Sequence, residues 1–106
     1  MEKQIENVTA ALKSNIYFDG KVTSRTFYKE NGDRFTLGVI TPGTYKFDVG
    51  DKEIVRMISG TAEICLPGDE DFHQVSAGET FIVPSKSDYD IRTYGVVEYL
   101  CDYVTE

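Results

Sequence analysis

From Asn15 onward the chain carries a two-residue hydrophobic period, and turn residues break it every few positions. In "RFTLGVI" Phe35, Leu37 and Val39 alternate with Thr36 and Gly38. In "TYKFDV" Tyr45, Phe47 and Val49 share a face opposite Lys46 and Asp48, and in "TAEICL" Ala62, Ile64 and Leu66 share one opposite Glu63 and Cys65. "TFIVP" and "VVEYLCDYV" follow as further strands. Between them lie "ENGD", "TPG", "VGD", "PGDED", "SAGE" and "PSKSD", which supply the Gly, Asn, Asp and Pro that tight turns require. Strands at short regular intervals with such turns predict an all-β sandwich or barrel. No stretch after Leu12 has a helical period. Before it, Ile5, Val8, Ala11 and Leu12 fall on an i, i+3, i+4 stripe. Residues 1–13 are therefore expected as a short helix or a loose arm, and residues 14–106 as a single barrel domain.

Composition excludes several classes of function. The 106 residues suffice for one domain with a modest core that a partner subunit would help to complete. No apolar run approaches the roughly 18–20 residues of a membrane span. The N-terminal stretch is polar and lacks the apolar segment of a secretory signal, so a cytoplasmic protein without membrane contact is expected. Eighteen acidic against 11 basic residues give a net charge of −7. With no cluster of Lys or Arg to neutralise a phosphate backbone, nucleic acid is not an expected partner. Cys65 and Cys101 lie far apart, each in an apolar run. Both are expected as reduced, buried thiols, because a zinc site needs more ligands at closer spacing.

Two glycine-bounded spacings resemble the motifs of cupin barrels, the double-stranded β-helix or jelly-roll fold. Glu53 precedes Gly60 by the interval of the first motif, and Gly78 precedes Pro84 by that of the second, although Gly43 stands two residues closer than usual. Counting back from Glu53, the two histidine ligands of such barrels fall on Phe47 and Val49. Counting forward from Pro84, the third falls near Tyr89. Neither Phe nor Val donates to a metal, and a lone carboxylate does not hold one tightly. No metal and no cofactor is therefore expected, and a metal-dependent cupin oxygenase or isomerase is disfavoured.

A wider pattern covers about Leu12 to Val104. "SNIYFDGKVTS", "GTYKF", "EIVRMISG", "LPGDEDF", "AGETFIVP" and "EYLCDYV", in this order, resemble the small single-cupin family of broad-specificity pyrimidine/purine nucleoside phosphorylases. The resemblance implies a homodimeric glycosyltransferase (pentosyltransferase). It would cleave purine and pyrimidine nucleosides with inorganic phosphate, without a metal, to free base and ribose 1-phosphate.

That reaction needs a cation for phosphate, polar groups on ribose and an aromatic platform for the base. Arg56, between Glu53 and Gly60, and Arg92, after Pro84, are the candidates for phosphate. Glu53 is the candidate for ribose, and with Arg56 it forms the expected catalytic pair. Tyr45, Phe47, Tyr89, Tyr99 and Tyr103 are candidates to line the substrate cavity, beside their alternative role as core. The only histidine, His73, follows an acidic turn and is expected on a surface hairpin. Ser14, Asn15 and Lys21 either form turns and strand entries or stand at the barrel mouth or a dimer contact. The alternative to catalysis is a barrel that binds a nucleoside or nucleobase in its aromatic cavity without turning it over.

Overall fold

A computed structural model describes residues 2–105. Eleven strands follow one another along the chain: β1 (Thr9–Ala10), β2 (Asn15–Tyr17), β3 (Val22–Tyr28), β4 (Arg34–Ile40), β5 (Gly43–Val49), β6 (Lys52–Ser59), β7 (Thr61–Cys65), β8 (His73–Ser76), β9 (Thr80–Val83), β10 (Ser87–Thr93) and β11 (Val97–Val104). Among the described residues a single 3-10 turn, Phe18–Gly20, interrupts them. All strand pairs are antiparallel. The larger sheet runs β1-β3-β4-β11-β6-β9, with β2 also on β3, and the smaller runs β5-β10-β7-β8. The all-β, two-sheet architecture is what the strand and turn pattern predicts, and its jelly-roll form is what the resemblance to cupin motifs implies.

The core fills the space between the sheets. Ile64 and Ile91 from the smaller sheet meet Val55, Met57 and Val83 from the larger, all at 2% exposure or less. Each such side chain contributes about 1.5–3 kcal/mol on burial. The β6–β7 turn closes on Gly60 at φ +84°, where a Cβ would also meet Val97 Cγ1 at 2.7 Å and the Val96 carbonyl at 2.8 Å. The expected "ENGD" hairpin joins β3 to β4, with Gly32 N–H donating to Lys29 O at 2.9 Å and the Asn31 side chain accepting from Asp33 N–H at 2.9 Å.

The N-terminal segment takes the arm form, and no α-helix occurs among the described residues. Met1 lies outside them. Thr9 and Ala10 pair with Tyr28 and Phe27 of β3. Arg25 then clamps the chain, donating to the carbonyls of Ala11 at 2.9 Å and Leu12 at 2.6 Å and to Ser14 Oγ at 2.7 Å. A helix this short is marginal alone, and an open strand edge with a guanidinium beside it offers the backbone better partners. The apolar stripe still finds a surface. Ile5 and Val8 lie over Phe27, Phe35, Leu37, Ile58 and Leu100 on the outer face of the larger sheet, around a groove of about 180 Å³. Phe27 and Phe35 stack there with centroids 5.3 Å apart.

That outer layer inverts the simple reading of β4. Its more apolar face, Phe35 and Leu37, turns outward under the arm. Its polar face, with Arg34, Thr36 and Gly38, turns toward the barrel interior.

Candidate active site

The interior of the barrel opens at one end into a cavity of about 640 Å³, within the range of about 300–1,000 Å³ usual for small-molecule sites. Its wall combines three inward-facing strand rows. β11 contributes Tyr99, Cys101 and Tyr103, one behind another on a single face. β6 contributes Glu53, which is paired in register with Tyr103. The smaller sheet contributes Phe47 and Tyr89, paired in register across β5 and β10 with ring centroids 5.7 Å apart. Thus two of the positions that would carry metal-binding imidazoles hold facing aromatic rings. The third, Val49, is buried core at 4% exposure.

Glu53 is the carboxylate among these rings. Burial pushes its carboxyl above the ordinary value; a hydrogen bond from the Cys101 thiol and the charge of Arg34 pull it part of the way back. Burial, and then the Glu53 charge, push the Tyr89 phenol and the Cys101 thiol up. Tyr99 and Tyr103 are also raised, chiefly by burial. At neutral pH the three phenols and the thiol are therefore neutral donors around one carboxylate. Cys101 in this state is a hydrogen-bonding group and not a nucleophile, because the thiolate is the reactive form. Tyr103 has a further partner, Thr36 Oγ1 at 3.3 Å.

The cation of the cavity is Arg34, which the sequence reading did not single out. It stands at the start of β4, exposed at the mouth, with Cζ 3.9 Å from the centroid of the Tyr103 ring. Among the described residues no carboxylate lies within ion-pairing distance of it. Lys46, also at the rim, is held by Asp88 at 3.6 Å and Asp90 at 3.4 Å. The fork of Arg34 is therefore oriented by stacking and free to meet an anion.

Neither arginine expected to hold phosphate enters the cavity. Arg56 lies on the outer face of the larger sheet, with Nη2 3.4 Å from Glu2 Oε1. Arg92 lies on the outer face of the smaller sheet, with Nε 2.7 Å from Glu63 Oε1 and its guanidinium 3.9 Å from the Phe72 centroid. The cause is the pleat. Arg56 is three residues from Glu53 and Arg92 three from Tyr89, and an odd offset along a strand puts side chains on opposite faces. The pairing of Glu53 with Arg56 in one site is corrected accordingly. Tyr45 also departs from expectation. It is 5% exposed, and its hydroxyl lies 3.0 Å from Thr41 O and 3.1 Å from Pro42 O. It braces the β4–β5 turn and is not among the cavity-lining residues. His73 is on the surface at the start of β8, with Nδ1 3.5 Å from Asp69.

The N-terminal motif "SNIYF" builds the remaining wall. Asn15 Nδ2 donates to Ser24 Oγ at 3.1 Å and Thr26 Oγ1 at 3.0 Å, fixing β2 across β3. That places Tyr17, Phe18 and Ser24 on the cavity lining. Phe18 packs on Tyr45 at 5.0 Å and Phe47 at 5.7 Å while remaining 42% exposed. Its φ of +51°, followed by +56° at Asp19, is unusual for a bulky side chain; such strain concentrates at functional sites. Lys21 contributes its backbone only, accepting from Thr41 N–H and Oγ1 at 3.0 and 2.7 Å. The sequence left a turn role and a barrel-mouth role open for this motif; its meeting with β5 and β11 needs the long-range register.

Residues 12–103 match the family model described as pyrimidine/purine nucleoside phosphorylase. The chain is similar to a pyrimidine/purine nucleoside phosphorylase of Clostridioides difficile (strain 630), at 43% identity over 97% of this chain and 98% of the relative. A relative of the same description from Hydrogenovibrio crunogenus is 42% identical over 95% of this chain and 97% of its own length. Among solved structures, a protein of unknown function (DUF1255) from Acinetobacter sp. ADP1 superposes with a TM-score of 0.93 at 34% identity, covering 95% of this chain and 98% of its own.

Proposed function

The chain belongs to the pyrimidine/purine nucleoside phosphorylase family, and on that premise we propose that the cavity carries out phosphorolysis of both purine and pyrimidine nucleosides. The observation that carries this reading is the pairing of one desolvated carboxylate, Glu53, with one unpaired guanidinium, Arg34, across a wall of aromatic rings. Phosphate sits on the Arg34 fork at the mouth. One of its oxygens bonds to the anomeric carbon while the carbon–nitrogen bond to the base breaks. The base leaves with the electron pair and takes up the proton that phosphate gives up, and ribose 1-phosphate remains.

Glu53 holds the ribose hydroxyls and offsets the positive charge that develops on the sugar ring, a role fixed carboxylates play in glycosidic cleavage. The neutral phenols of Tyr99 and Tyr103 supply hydrogen bonds without adding charge. Phe18, Phe47 and Tyr17 present ring faces to the base, and stacking tolerates any base because every base has a π-face. This supports broad specificity within a pentosyltransferase activity.

The donor set supports a reaction without a metal: Phe47 and Val49 offer no ligand atom, and no group of three or more His, Cys, Asp or Glu converges among the described residues. A homodimer that covers the open edges of the two sheets and a cytoplasmic location belong to the same proposal. No helix among the described residues is long and apolar enough to cross a membrane. Light scattering checks the dimer. The reaction is tested by incubating the protein with uridine, adenosine, guanosine or inosine with and without phosphate. Phosphate-dependent release of free base is the expected result. Nucleoside binding in calorimetry with no such release selects a non-catalytic binding barrel instead.

A further inference from the structure

We propose that Gly38 sets the depth of the cavity, and with it the largest base the site admits, by letting the Tyr99 ring lie close against β4. The inference rests on the phosphorylase reading and adds a positioning residue to it.

Gly38 sits in the middle of β4, between Ser24 of β3 and Tyr99 of β11 in register. A glycine inside a strand weakens it and calls for a local reason. The backbone does not supply one, since Gly38 is not in the left-handed region that other glycines of the chain occupy. Tyr99 does. A methyl group at position 38 would overlap the Tyr99 side chain, clashing with Cζ, Cε1 and the hydroxyl oxygen. The phenol therefore occupies the place of the missing side chain. It crosses from β11 over β4 toward β3, where Ser24 also lines the cavity and the Tyr17 phenol adds to the electrostatic field on its hydroxyl.

Any side chain at position 38 has to displace that ring. The β4 backbone blocks it below, so it can only lift into the cavity, toward the space above Glu53. The cavity then loses depth, and a two-ring base is crowded out before a one-ring base. Gly38 thus works through Tyr99 and touches no substrate itself.

The test compares adenosine with uridine in wild type, Gly38→Ala and Gly38→Ala/Tyr99→Ala. The expected result is a fall of about tenfold or more in the adenosine-to-uridine ratio of kcat/KM for Gly38→Ala. That fall corresponds to one methyl-scale clash with the ring. The double variant, with no ring to displace, should regain at least the wild-type ratio whatever its absolute rate. Calorimetric affinities for the two nucleosides, measured on the same three proteins, should move in the same direction. An unchanged ratio in folded Gly38→Ala overturns the proposal, as does a fall that removal of the Tyr99 ring does not restore. Failure of the phosphorylase reading looks different: wild type releases no base from either nucleoside, while the affinity ratio still reports on Gly38.

Discussion

Arg34→Met is the sharpest perturbation of the site, because it removes the unpaired cation of the cavity while keeping an apolar stem of similar length. The guanidinium is exposed at the mouth and stacks on Tyr103 at 3.9 Å. A charge pair at about 4 Å is worth about 1 kcal/mol in bulk water and about 4 kcal/mol near a protein surface. Hydrogen bonds to a charged group contribute about 1.5–3 kcal/mol. An exposed but oriented fork lies between these limits, so losing it should cost about 2–3 kcal/mol of phosphate interaction. At 1.4 kcal/mol per decade that is roughly a 30- to 150-fold loss in kcat/KM for phosphate. Arg34→Lys keeps the charge but loses the planar fork and the stacking, and should fall about tenfold. The assay is base release at saturating nucleoside with phosphate varied, repeated at low and high salt. Nucleoside affinity without phosphate should change less than about threefold in either variant. If kcat/KM for phosphate in Arg34→Met stays within about threefold of wild type, the assignment of phosphate to this residue is wrong.

Glu53→Gln should lower kcat by about 10²–10³, the effect of removing one preorganised electrostatic group, in single-turnover assays at saturating substrates. The same substitution should raise the thermal midpoint at pH 8 more than at pH 5. A carboxyl whose folded value is raised contributes stability below its unfolded value of about 4.5 that is lost as pH rises through the folded value, so ionised Glu53 disfavours folding at neutral pH; an equal shift at both pH values would refute its desolvation. Arg56→Ala and Arg92→Ala should each leave kcat/KM for phosphate within about twofold of wild type, since both lie outside the barrel; a larger loss in a folded variant would return phosphate to one of them. Ile64→Ala, at a fully buried position, should lower unfolding free energy by about 2–5 kcal/mol in urea denaturation, with the m-value unchanged.

How much of this was legible in the sequence follows from which contacts are local. The alternation in β5 and β7 and the turn chemistry between strands depend on neighbouring residues, and they specify the fold class. Glu53, Phe47 and Tyr89 were within reach through motif spacing, and Tyr99 and Tyr103 through the alternation of the last strand; the structure brings all five to one cavity. The arginines went astray although the information was local: strand parity alone sends Arg56 and Arg92 to the outside once Glu53 and Tyr89 point in. Arg34 was hidden for the opposite reason. Its strand shows an apolar face at Phe35 and Leu37 that suggests the interior, and only the arm carrying Ile5 and Val8 explains why that face points out. An apolar stripe identifies a buried face without saying what buries it.

The same inversion shows how this barrel can keep a carboxylate inside. An interior lined by Phe35 and Leu37 would take away Arg34, whose charge favours the ionised form of Glu53, and burying an uncompensated charge is costly. Turning β4 over brings Thr36 to the Tyr103 hydroxyl, Arg34 to the Tyr103 ring and Gly38 beneath Tyr99. Arg34, Thr36 and Gly38, which face inward from β4, thus each meet an aromatic of β11, while Ile40 on the same face packs in the core. The phenols on those aromatics, with the Cys101 thiol, surround Glu53 with groups that remain protonated at neutral pH. The N-terminal arm takes over the apolar face displaced in the exchange. Removal of residues 2–8 should therefore act at a distance: by exposing Phe27, Phe35 and Leu37 it should loosen the β3–β4 pair and weaken nucleoside affinity, although the arm contributes nothing to the cavity wall. Calorimetry on the truncated chain, with hydrogen exchange on β3 and β4, checks this. Unchanged protection of those strands alongside unchanged affinity would show that the arm covers the sheet without supporting the site.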